Sequence, residues 1–329
     1  MTHIIIPDHE TSIGVAAMLD SGEVIALPTE TVYGLGADAT NGKAVAKIFE
    51  IKGRPEFNPL IAHVDGIRMA EEHGVFSDTT RLLAQNFWPG PLTFILPLKE
   101  TSPISPLVTA GLKTIGMRMP RHKVTLSIIK DLGYPIAAPS ANASGKLSPT
   151  TPEHVIQSLG YKILNIVAGG KSVVGLESTI LDMTGDTPCL LRAGAITRAD
   201  IEDLIGTIDD ATEVTNDTAP KSPGQLLKHY APKIPLRLNA IDINQGEALL
   251  GFGALKFIGI KGGGRINDLP EGWVLNLSPT GDLTEAASNL FSMLHKLGDS
   301  GADSIAVMNI PETGIGQAIN ERLQRASKS

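Results

Sequence analysis

Short apolar runs alternate with amphipathic segments along the chain up to about residue 205. Strands are predicted at the apolar runs, which lie at residues 24–27, 60–64, 92–98, 114–119, 136–138, 163–167 and 178–182. Helices are predicted between them, at residues 11–20, 43–51, 78–86, 123–132, 152–159 and 198–205. This alternation predicts an α/β fold built on a mixed sheet.

The pattern breaks down over residues 206–235, where Thr, Asp, Asn, Ala, Pro and Ser dominate and no periodicity holds. This composition predicts a linker. The segment also contains Ser222-Pro223-Gly224 and Lys228-His229-Tyr230-Ala231-Pro232. Because a passive spacer does not need a cation, an imidazole and a phenol in a row, we predict a lid over a site in the first domain, with a docked tether as the alternative.

A second α/β unit follows the linker. Strands are predicted at residues 236–238, 254–260, 273–277 and 304–309, one helical face between residues 283 and 294, and a closing helix at 314–326. The chain therefore divides into a first domain (1–205), a linker or lid (206–235) and a smaller α/β domain (236–329).

Composition and charge limit the classes of protein to which this chain can belong. The chain has 329 residues, of which 42% are hydrophobic and 19% charged, and its net charge is −7. This charge argues against a protein that coats nucleic acid. The single cysteine, Cys189, excludes an intrachain disulfide framework. We find neither a signal peptide nor the ~20 apolar residues of a membrane span, and we expect a soluble, cytoplasmic protein.

The most informative polar cluster follows the strand at residues 24–27. The hydroxyls of Thr29, Thr31 and Tyr33 and the carboxylate of Glu30 precede a glycine-rich turn, Gly34-Leu35-Gly36. The next helix ends in Lys52-Gly53-Arg54-Pro55. Hydroxyls and paired cations beside one strand end are typical of a site for a small polar acid and a phosphate. The alternative is a turn followed by a solvated basic helix end.

Several familiar sequence motifs are incomplete or absent in this chain. Gly169-Gly170-Lys171-Ser172 ends like a P-loop, but Asn165 stands where its first glycine belongs. Gly34-x-Gly36-x-x-Ala39 matches a dinucleotide-binding fingerprint only weakly. The histidines show no zinc-binding spacing, so we expect no metal site made by the protein alone.

Four other segments carry polar groups, and the first three have two interpretations each. Arg118 ends a predicted strand and is either a ligand cation or a surface arginine. The turn Pro139-Ser140-Ala141-Asn142-Ala143-Ser144-Gly145 is either an anion nest or an Asx/Ser turn. Ser148-Pro149-Thr150 is either part of a site or a helix cap. Arg192-Ala193-Gly194 places a cation at a strand end, a common phosphate position.

Together these segments resemble the threonylcarbamoyl-AMP synthases, a YrdC-like family, in the long form with a C-terminal extension domain. The resemblance covers nearly the whole chain and is carried by residues 28–36, Lys52-x-Arg54-Pro55, Asn58-Pro59-Leu60, residues 114–120, residues 139–145 with Ser148-Pro149-Thr150, Glu177-Ser178-Thr179, Arg192-x-Gly194, and the linker pattern. One departure is Ala193, where the family more often has proline. The resemblance implies a YrdC-like twisted mixed sheet with flanking helices, then a smaller Rossmann-like α/β domain.

The family reaction combines L-threonine, bicarbonate and ATP into threonylcarbamoyl-AMP and pyrophosphate. A separate tRNA threonylcarbamoyl transferase then passes the threonylcarbamoyl group to an adenosine beside the anticodon. The resemblance therefore implies a nucleotidyltransferase that acts in tRNA processing. Mg²⁺ is expected to arrive with ATP, and no organic cofactor, stable nucleic-acid binding or membrane partner is expected.

The resemblance also implies roles for individual residues. The L-threonine contacts would be Thr31, His63, Arg118, Ala138 and Ser178. The ATP contacts would be Arg54, Asn58, Thr114, Ser140, Ser148, Arg192 and Tyr230. Lys52 and Arg54 are assigned to catalysis, near the bicarbonate and the phosphates, and Tyr33 is expected to line the same pocket.

Two alternatives belong to other functional classes. The first is a YrdC-like module that binds structured RNA through a basic concavity, which the net charge disfavours. The second is another enzyme that forms a carbamoyl-adenylate, since related domains occur in hydrogenase-maturation proteins. Those proteins carry additional zinc-finger and acyl-phosphatase-like segments, whereas this chain has one cysteine.

Overall fold

The computed structural model describes residues 2–8, 10–55, 57–211, 230–255 and 258–328. Within these ranges the first domain contains one large mixed sheet of eleven strands. The strands are β1 (His3–Ile5), β2 (Ile25–Leu27), β3 (Gly34–Asp38), β4 (Ile61–His63), β5 (Leu92–Pro97), β6 (Thr114–Arg118), β7 (Ile136–Ala137), β8 (Asn165–Val167), β9 (Thr179–Asp182), β10 (Cys189–Arg192) and β11 (Asp209–Asp210).

The sheet has the strand order β1-β8-β2-β3-β7-β4-β6-β5-β9-β10-β11. β4 and β6 run parallel and end together, with His63 opposite Arg118. β5 is antiparallel to β6 and parallel to β9. The carboxyl ends of β4 and β6 therefore meet the start of β5 and β9 at one edge of the sheet, and this edge holds the site described below.

Eight helices flank the sheet in the described residues. They are α1 (Thr11–Asp20), α2 (Gly42–Lys52), α3 (Ile67–His73), α4 (Asp78–Phe87), α5 (Pro106–Thr109), α6 (Lys123–Leu132), α7 (Pro152–Leu159) and α8 (Arg198–Ile205). Capping residues in the sequence explain where three of these helices begin. Asn41 caps α2, Thr151 caps α7 just before a first-turn proline, and Thr197 forms a capping box with Asp200 at α8.

The predicted turn Gly34-Leu35-Gly36 is wrong, because these residues form the fully buried strand β3. β3 pairs antiparallel with β2 and with β7. A Cβ on Gly36 would lie 2.8 Å from Leu27 Cδ1 and 3.0 Å from Ile136 Cγ2. Glycine is therefore needed here for the close packing of a strand and not for a turn.

The C-terminal domain has a parallel sheet in the order β12-β17-β14-β16 and a separate pair of parallel strands, β13 and β15. The elements are β12 (Leu236–Arg237), β13 (Asp242–Ile243), β14 (Glu247–Gly251), β15 (Gly259–Ile260), β16 (Val274–Asn276), α9 (Leu283–Gly298), β17 (Ser304–Val307) and α10 (Ile315–Ser327). No helix among the described residues has both the length and the apolar character that crossing a bilayer requires.

Two features of the second half of the chain differ from the sequence prediction. Within the described part of the strand predicted at residues 254–260, only Gly259–Ile260 forms a strand, and the buried strand β14 was missed. β11 pairs with β10, so the large sheet includes two residues of the segment predicted as a linker. Residues 212–229, which carry Ser222-Pro223-Gly224, Lys228 and His229, lie outside the described residues.

The two domains share a hydrophobic cluster. Val32, Leu147 and Leu176 of the first domain pack in one cluster with Leu290 and Phe291 of α9. Gly175 lies against the backbone of α9, where a Cβ would approach the Ser288 Cα to 2.6 Å. This packing holds α9 against the loops that precede β9.

A histidine pair spans the same junction. The rings of His154 on α7 and His295 on α9 stack with centroids 4.0 Å apart, and His295 Nε2 lies 3.2 Å from the Ser148 carbonyl oxygen. Burial and the neighbouring His295 lower the pKa of His154 to about 4, and burial lowers that of His295. Both rings are therefore neutral at pH 7.

The histidine pair predicts a pH dependence of stability. Between pH ~6.5 and ~4 the unfolded chain binds protons that the folded pair does not, so stability falls as pH falls through this window. His154→Gln should reduce this loss by about 1–2 kcal/mol when denaturant unfolding at pH 7.5 and pH 5 is compared. His3→Gln, a change on exposed edge strand β1, is the matched control. An unaltered pH dependence in His154→Gln would contradict the prediction.

Candidate functional site

A cleft-like cavity opens at the sheet edge where β4 and β6 end, with about 590 Å³ of space when the open solvent at its mouth is included. Hydroxyl, guanidinium and imidazole groups from separate segments converge on it. Its wall is made by Thr29, Thr31, Val32, Gly34, Arg54, Ile61, His63, Arg118, Ala138, Pro139, Ser140, Glu177, Ser178, Arg192 and Tyr230.

A buried ion pair organises one end of the cavity. Arg118 Nη2 donates to Glu30 Oε1 at 2.6 Å, and both side chains are 4% exposed. Arg118 Nη1 also donates to Thr31 Oγ1 at 2.9 Å, and its Nε to the Gly90 carbonyl at 3.2 Å. Burial alone would raise the pKa of Glu30, but Arg118 and the backbone N–H of Arg121 hold it below its ordinary value. The pair therefore remains charged and fixes the loop after β2 to the end of β6.

His63 is held as a neutral ring beside this pair. Burial, followed by the charge of Arg118, lowers its pKa to about 3. Its Nδ1 lies 3.3 Å from the Ile61 carbonyl oxygen, which can only accept a hydrogen bond. Nδ1 must therefore carry the proton, and Nε2 is an acceptor. Such a ring can accept a hydrogen bond from a ligand ammonium or hydroxyl.

A second group of cations, Arg54 and Arg192, lines the same cavity. Arg54 donates to the carbonyls of Asn58 and Pro59 at 3.2 and 3.0 Å, and no salt bridge to Arg54 is found among the described residues. Burial and the nearby Arg192 lower its pKa to about 10, so it stays charged at pH 7. Arg192 donates to the carbonyl and the hydroxyl of Ser178 at 2.9 and 3.1 Å. Two buried guanidinium groups close together favour an anion between them.

Lys52 lies behind the wall and not on it. Its Nζ donates to the carbonyls of Ser140 and Asn142 at 2.5 and 2.6 Å. Burial and the charge of Arg54 lower its pKa well below the ordinary value. Lys52 therefore ties the end of α2 to the turn that contains Ser140.

Tyr230 closes the cavity from the end of the linker. Its side chain is 1% exposed, and its backbone has φ 65°, a left-handed conformation that is unfavourable for a bulky residue. The ring lies 5.4 Å from that of Phe291, and the N–H of Ala231 donates to the Gly145 carbonyl at 2.8 Å. The end of the linker is thereby fixed between the two domains.

The predicted site residues fall into two sets. The cavity wall includes Thr31, Arg54, His63, Arg118, Ala138, Ser140, Ser178, Arg192 and Tyr230. Lys52, Asn58, Thr114 and Ser148 are not on it. Asn58 is next to Arg54 and has a buried Oδ1 without a hydrogen-bond partner among the described residues. Thr114 begins β6 and lies about 13 Å along the strand from Arg118.

Tyr33 does not line the cavity, contrary to prediction. Its hydroxyl donates to the Gly170 carbonyl at 2.8 Å and accepts from the Gly169 N–H at 2.9 Å. The tyrosine therefore fixes the loop that resembles the end of a P-loop.

No individual role was predicted for the side chains of Glu30 and Glu177, although both are buried at the site. Within the described ranges, no group of three His, Cys, Asp or Glu side chains is placed to hold a metal ion.

The family comparison divides the chain into two parts. Residues 17–194 match the family model described as telomere recombination. Residues 196–328 match the model described as threonylcarbamoyl-AMP synthase, C-terminal domain. The two matches together extend over both domains.

Curated relatives match over nearly the full length. The chain is 42% identical to threonylcarbamoyl-AMP synthase of Bacillus subtilis, over 95% of this chain and 91% of that protein. It is 40% identical to threonylcarbamoyl-AMP synthase of Pyrococcus abyssi, over 95% and 92%. The crystal structure of P. abyssi Sua5 complexed with L-threonine aligns with a TM-score of 0.87 at 35% identity, over 99% and 98% of the two chains.

The ion pair predicts an asymmetric response to substitution. Arg118→Met leaves the buried carboxylate of Glu30 without its counter-charge and should destabilise the protein by about 3–5 kcal/mol. The double variant Glu30→Gln/Arg118→Met should recover part of this loss, because it removes both charges. Chemical denaturation measures both effects.

The matched control is Arg121→Met, an exposed arginine three residues further along, which should change stability by no more than about 0.5 kcal/mol. Equal stability of Arg118→Met and Arg121→Met would show that the ion pair does not hold the site together.

Proposed function

The chain belongs to the threonylcarbamoyl-AMP synthase family and is an ATP-using enzyme that forms threonylcarbamoyl-AMP, and we propose that the cavity at the end of β4 and β6 is where its substrates meet. The observation that carries this proposal is the division of the cavity into two ends. Arg118 and neutral His63 face one end, and the Arg54–Arg192 pair lies at the other. The RNA-binding and other-carbamoyl alternatives are not retained, because full-length relatives are named as synthases.

We assign the Arg118 end to L-threonine. The guanidinium, already fixed by Glu30, matches the planar carboxylate of an amino acid. His63 Nε2 and the hydroxyls of Thr31 and Ser178 provide acceptors for the ammonium and partners for the side-chain hydroxyl. The complex of P. abyssi Sua5 with L-threonine supports threonine as a ligand of this protein.

We assign the Arg54 end to the triphosphate of ATP. Arg54 and Arg192 are positioned to neutralise phosphate oxygens, and Ser140 lies on the same wall. Asn58, Thr114 and Ser148 remain predicted ATP contacts. Lys52 reaches the Ser140 and Asn142 carbonyls, so we propose that it acts by positioning this turn near the bicarbonate and the phosphates.

The reaction needs little acid–base chemistry from the protein. Bicarbonate and the threonine amine condense to a carbamate with loss of water. A carbamate oxygen then attacks the α-phosphate, the bond from that phosphorus to the bridging oxygen breaks, and pyrophosphate leaves. The demands on the site are in-line positioning and neutralisation of charge. The buried arginines meet both demands.

Other participants are proposed on chemical grounds. We propose that Mg²⁺ enters as part of the MgATP substrate, held mainly by phosphate oxygens. Among the described residues on the wall the carboxylate is that of Glu177, which is already hydrogen-bonded to Ser148 and paired with Arg322. The product is a labile mixed anhydride, so we also propose that a tRNA threonylcarbamoyl transferase consumes it.

The first test of the proposed function is the dependence of pyrophosphate release on each substrate. Purified protein should release pyrophosphate from ATP only when both L-threonine and bicarbonate are present, measured in buffer depleted of CO₂. Arg54→Met should reduce turnover about a hundredfold, because it removes a cation beside the reacting phosphates. Arg121→Met is the control and should retain normal turnover. Undiminished release without threonine would refute the proposed reaction.

The second test concerns the end of the linker. Because Tyr230 covers the cavity and is packed on Phe291, Tyr230→Ala should admit water and speed hydrolytic loss of the enzyme-bound adenylate. Tyr230→Phe keeps the ring and should protect the adenylate nearly as well as the wild type. The measurement is the ratio of AMP to threonylcarbamoyl-AMP over time. Equal ratios in the alanine and phenylalanine variants would favour a tether over a lid.

A further inference from the structure

Arg322 brings a charge from the C-terminal domain into the junction with the first domain. This residue lies on α10, near the end of the chain, and its side chain is 1% exposed. Its Nε is 3.2 Å from Glu177 Oε2 of the first domain, and its Nη1 donates to the Ala193 carbonyl at 2.7 Å. Burial of a charge is strongly unfavourable without such partners, so the position of Arg322 depends on the first domain.

The partner carboxylate continues this contact to the cavity. Glu177 lines the cavity just before β9, and its Oε1 accepts a hydrogen bond from the buried hydroxyl of Ser148. Glu177 therefore connects α10 to the cavity wall, and its other oxygen binds Ser148, a predicted ATP contact. Arg322 itself is not on that wall, so it acts through its neighbours.

Two other contacts of Arg322 reach the same end of the cavity. Its guanidinium carbon lies 5.9 Å from the centroid of the Tyr230 ring. The Ala193 carbonyl that it binds belongs to the residue directly after Arg192. Gly194, the next residue, is packed so closely that a Cβ would lie 2.4 Å from the Thr179 N. The backbone beside Arg192 is thus held on one side by Arg322 and on the other by β9.

Among the described residues the link from Arg322 to the threonine end is less direct, because it runs through Glu177 to the next residue, Ser178, and through Arg192, which donates to the Ser178 hydroxyl. Arg118 is fixed by Glu30, Thr31 and Gly90, and Ser178 shares a 2.7 Å hydrogen bond with Thr93. All of these residues belong to the first domain. Loss of the Arg322 contacts should consequently affect the two ends of the cavity unequally.

We propose that Arg322 is a positioning residue through which the docked C-terminal domain holds the nucleotide end of the cavity in its binding geometry. The proposal rests on the proposed function, because it assumes that ATP binds at the Arg54–Arg192 end. It gives the C-terminal domain a larger role in ATP affinity than in threonine affinity.

The test compares ATP and threonine binding by calorimetry in wild type, Arg322→Met, Arg322→Lys and Arg325→Met. Arg322→Met should weaken ATP binding about tenfold or more, the loss expected for a charge-assisted hydrogen bond, with threonine binding within about twofold of wild type. Arg322→Lys keeps the charge and should recover part of the ATP affinity. Arg325 lies one turn further along α10 and pairs with Glu321. Arg325→Met removes this charge and should bind ATP as the wild type does.

Three outcomes overturn the proposal: wild-type ATP affinity in Arg322→Met, an equal loss of ATP and threonine affinity in that variant, or an equal loss of ATP affinity in Arg325→Met. If Arg322→Met does not fold, Arg322→Lys carries the test, and a folded lysine variant must then show a selective loss of ATP affinity. Failure of the wild type itself to bind ATP would instead refute the proposed function.

Discussion

The buried ion pair between Glu30 and Arg118 is the interaction on which the threonine end of the site depends. It joins the loop after β2 to the end of β6 and places a fixed guanidinium at the carboxyl end of two parallel strands. The charge of Arg118, added to burial, keeps His63 neutral and therefore an acceptor at Nε2. The pair thus provides the cation and burial provides the neutral ring beside it, and a zwitterionic amino acid requires both.

At the nucleotide end of the cavity the important charges are the guanidinium groups of Arg54 and Arg192. Arg54 is hydrogen-bonded to carbonyls, and burial, together with repulsion by the nearby charge of Arg192, lowers its pKa. A bound polyanion relieves this repulsion, so the site is adapted to a ligand that carries several negative charges. The wall around Arg192 is built by both domains, since Glu177 and Ala193 of the first domain bind Arg322 of the second.

Much of the fold and of the cavity wall was predictable from local sequence. Helices α1, α6, α7 and α8 have the predicted bounds, and the local signal is apolar periodicity in α6 and a side-chain cap in α7 and α8. The partners of the site residues were not predictable in this way, since Glu30 and Arg118 are separated by 88 positions and Glu177 and Arg322 by 145. β3 was missed because its glycines have the composition of a turn, and β14 because Glu247 and Gly251 interrupt a short apolar run.

The most direct test of the central claim is a crystal structure with L-threonine and a non-hydrolysable ATP analogue bound together. The account predicts the threonine carboxylate on the Arg118 guanidinium, His63 Nε2 within hydrogen-bond distance of the threonine, and the phosphates between Arg54 and Arg192. Threonine density at the Arg54–Arg192 end, or phosphates on Arg118, would contradict the division of the cavity proposed for this enzyme.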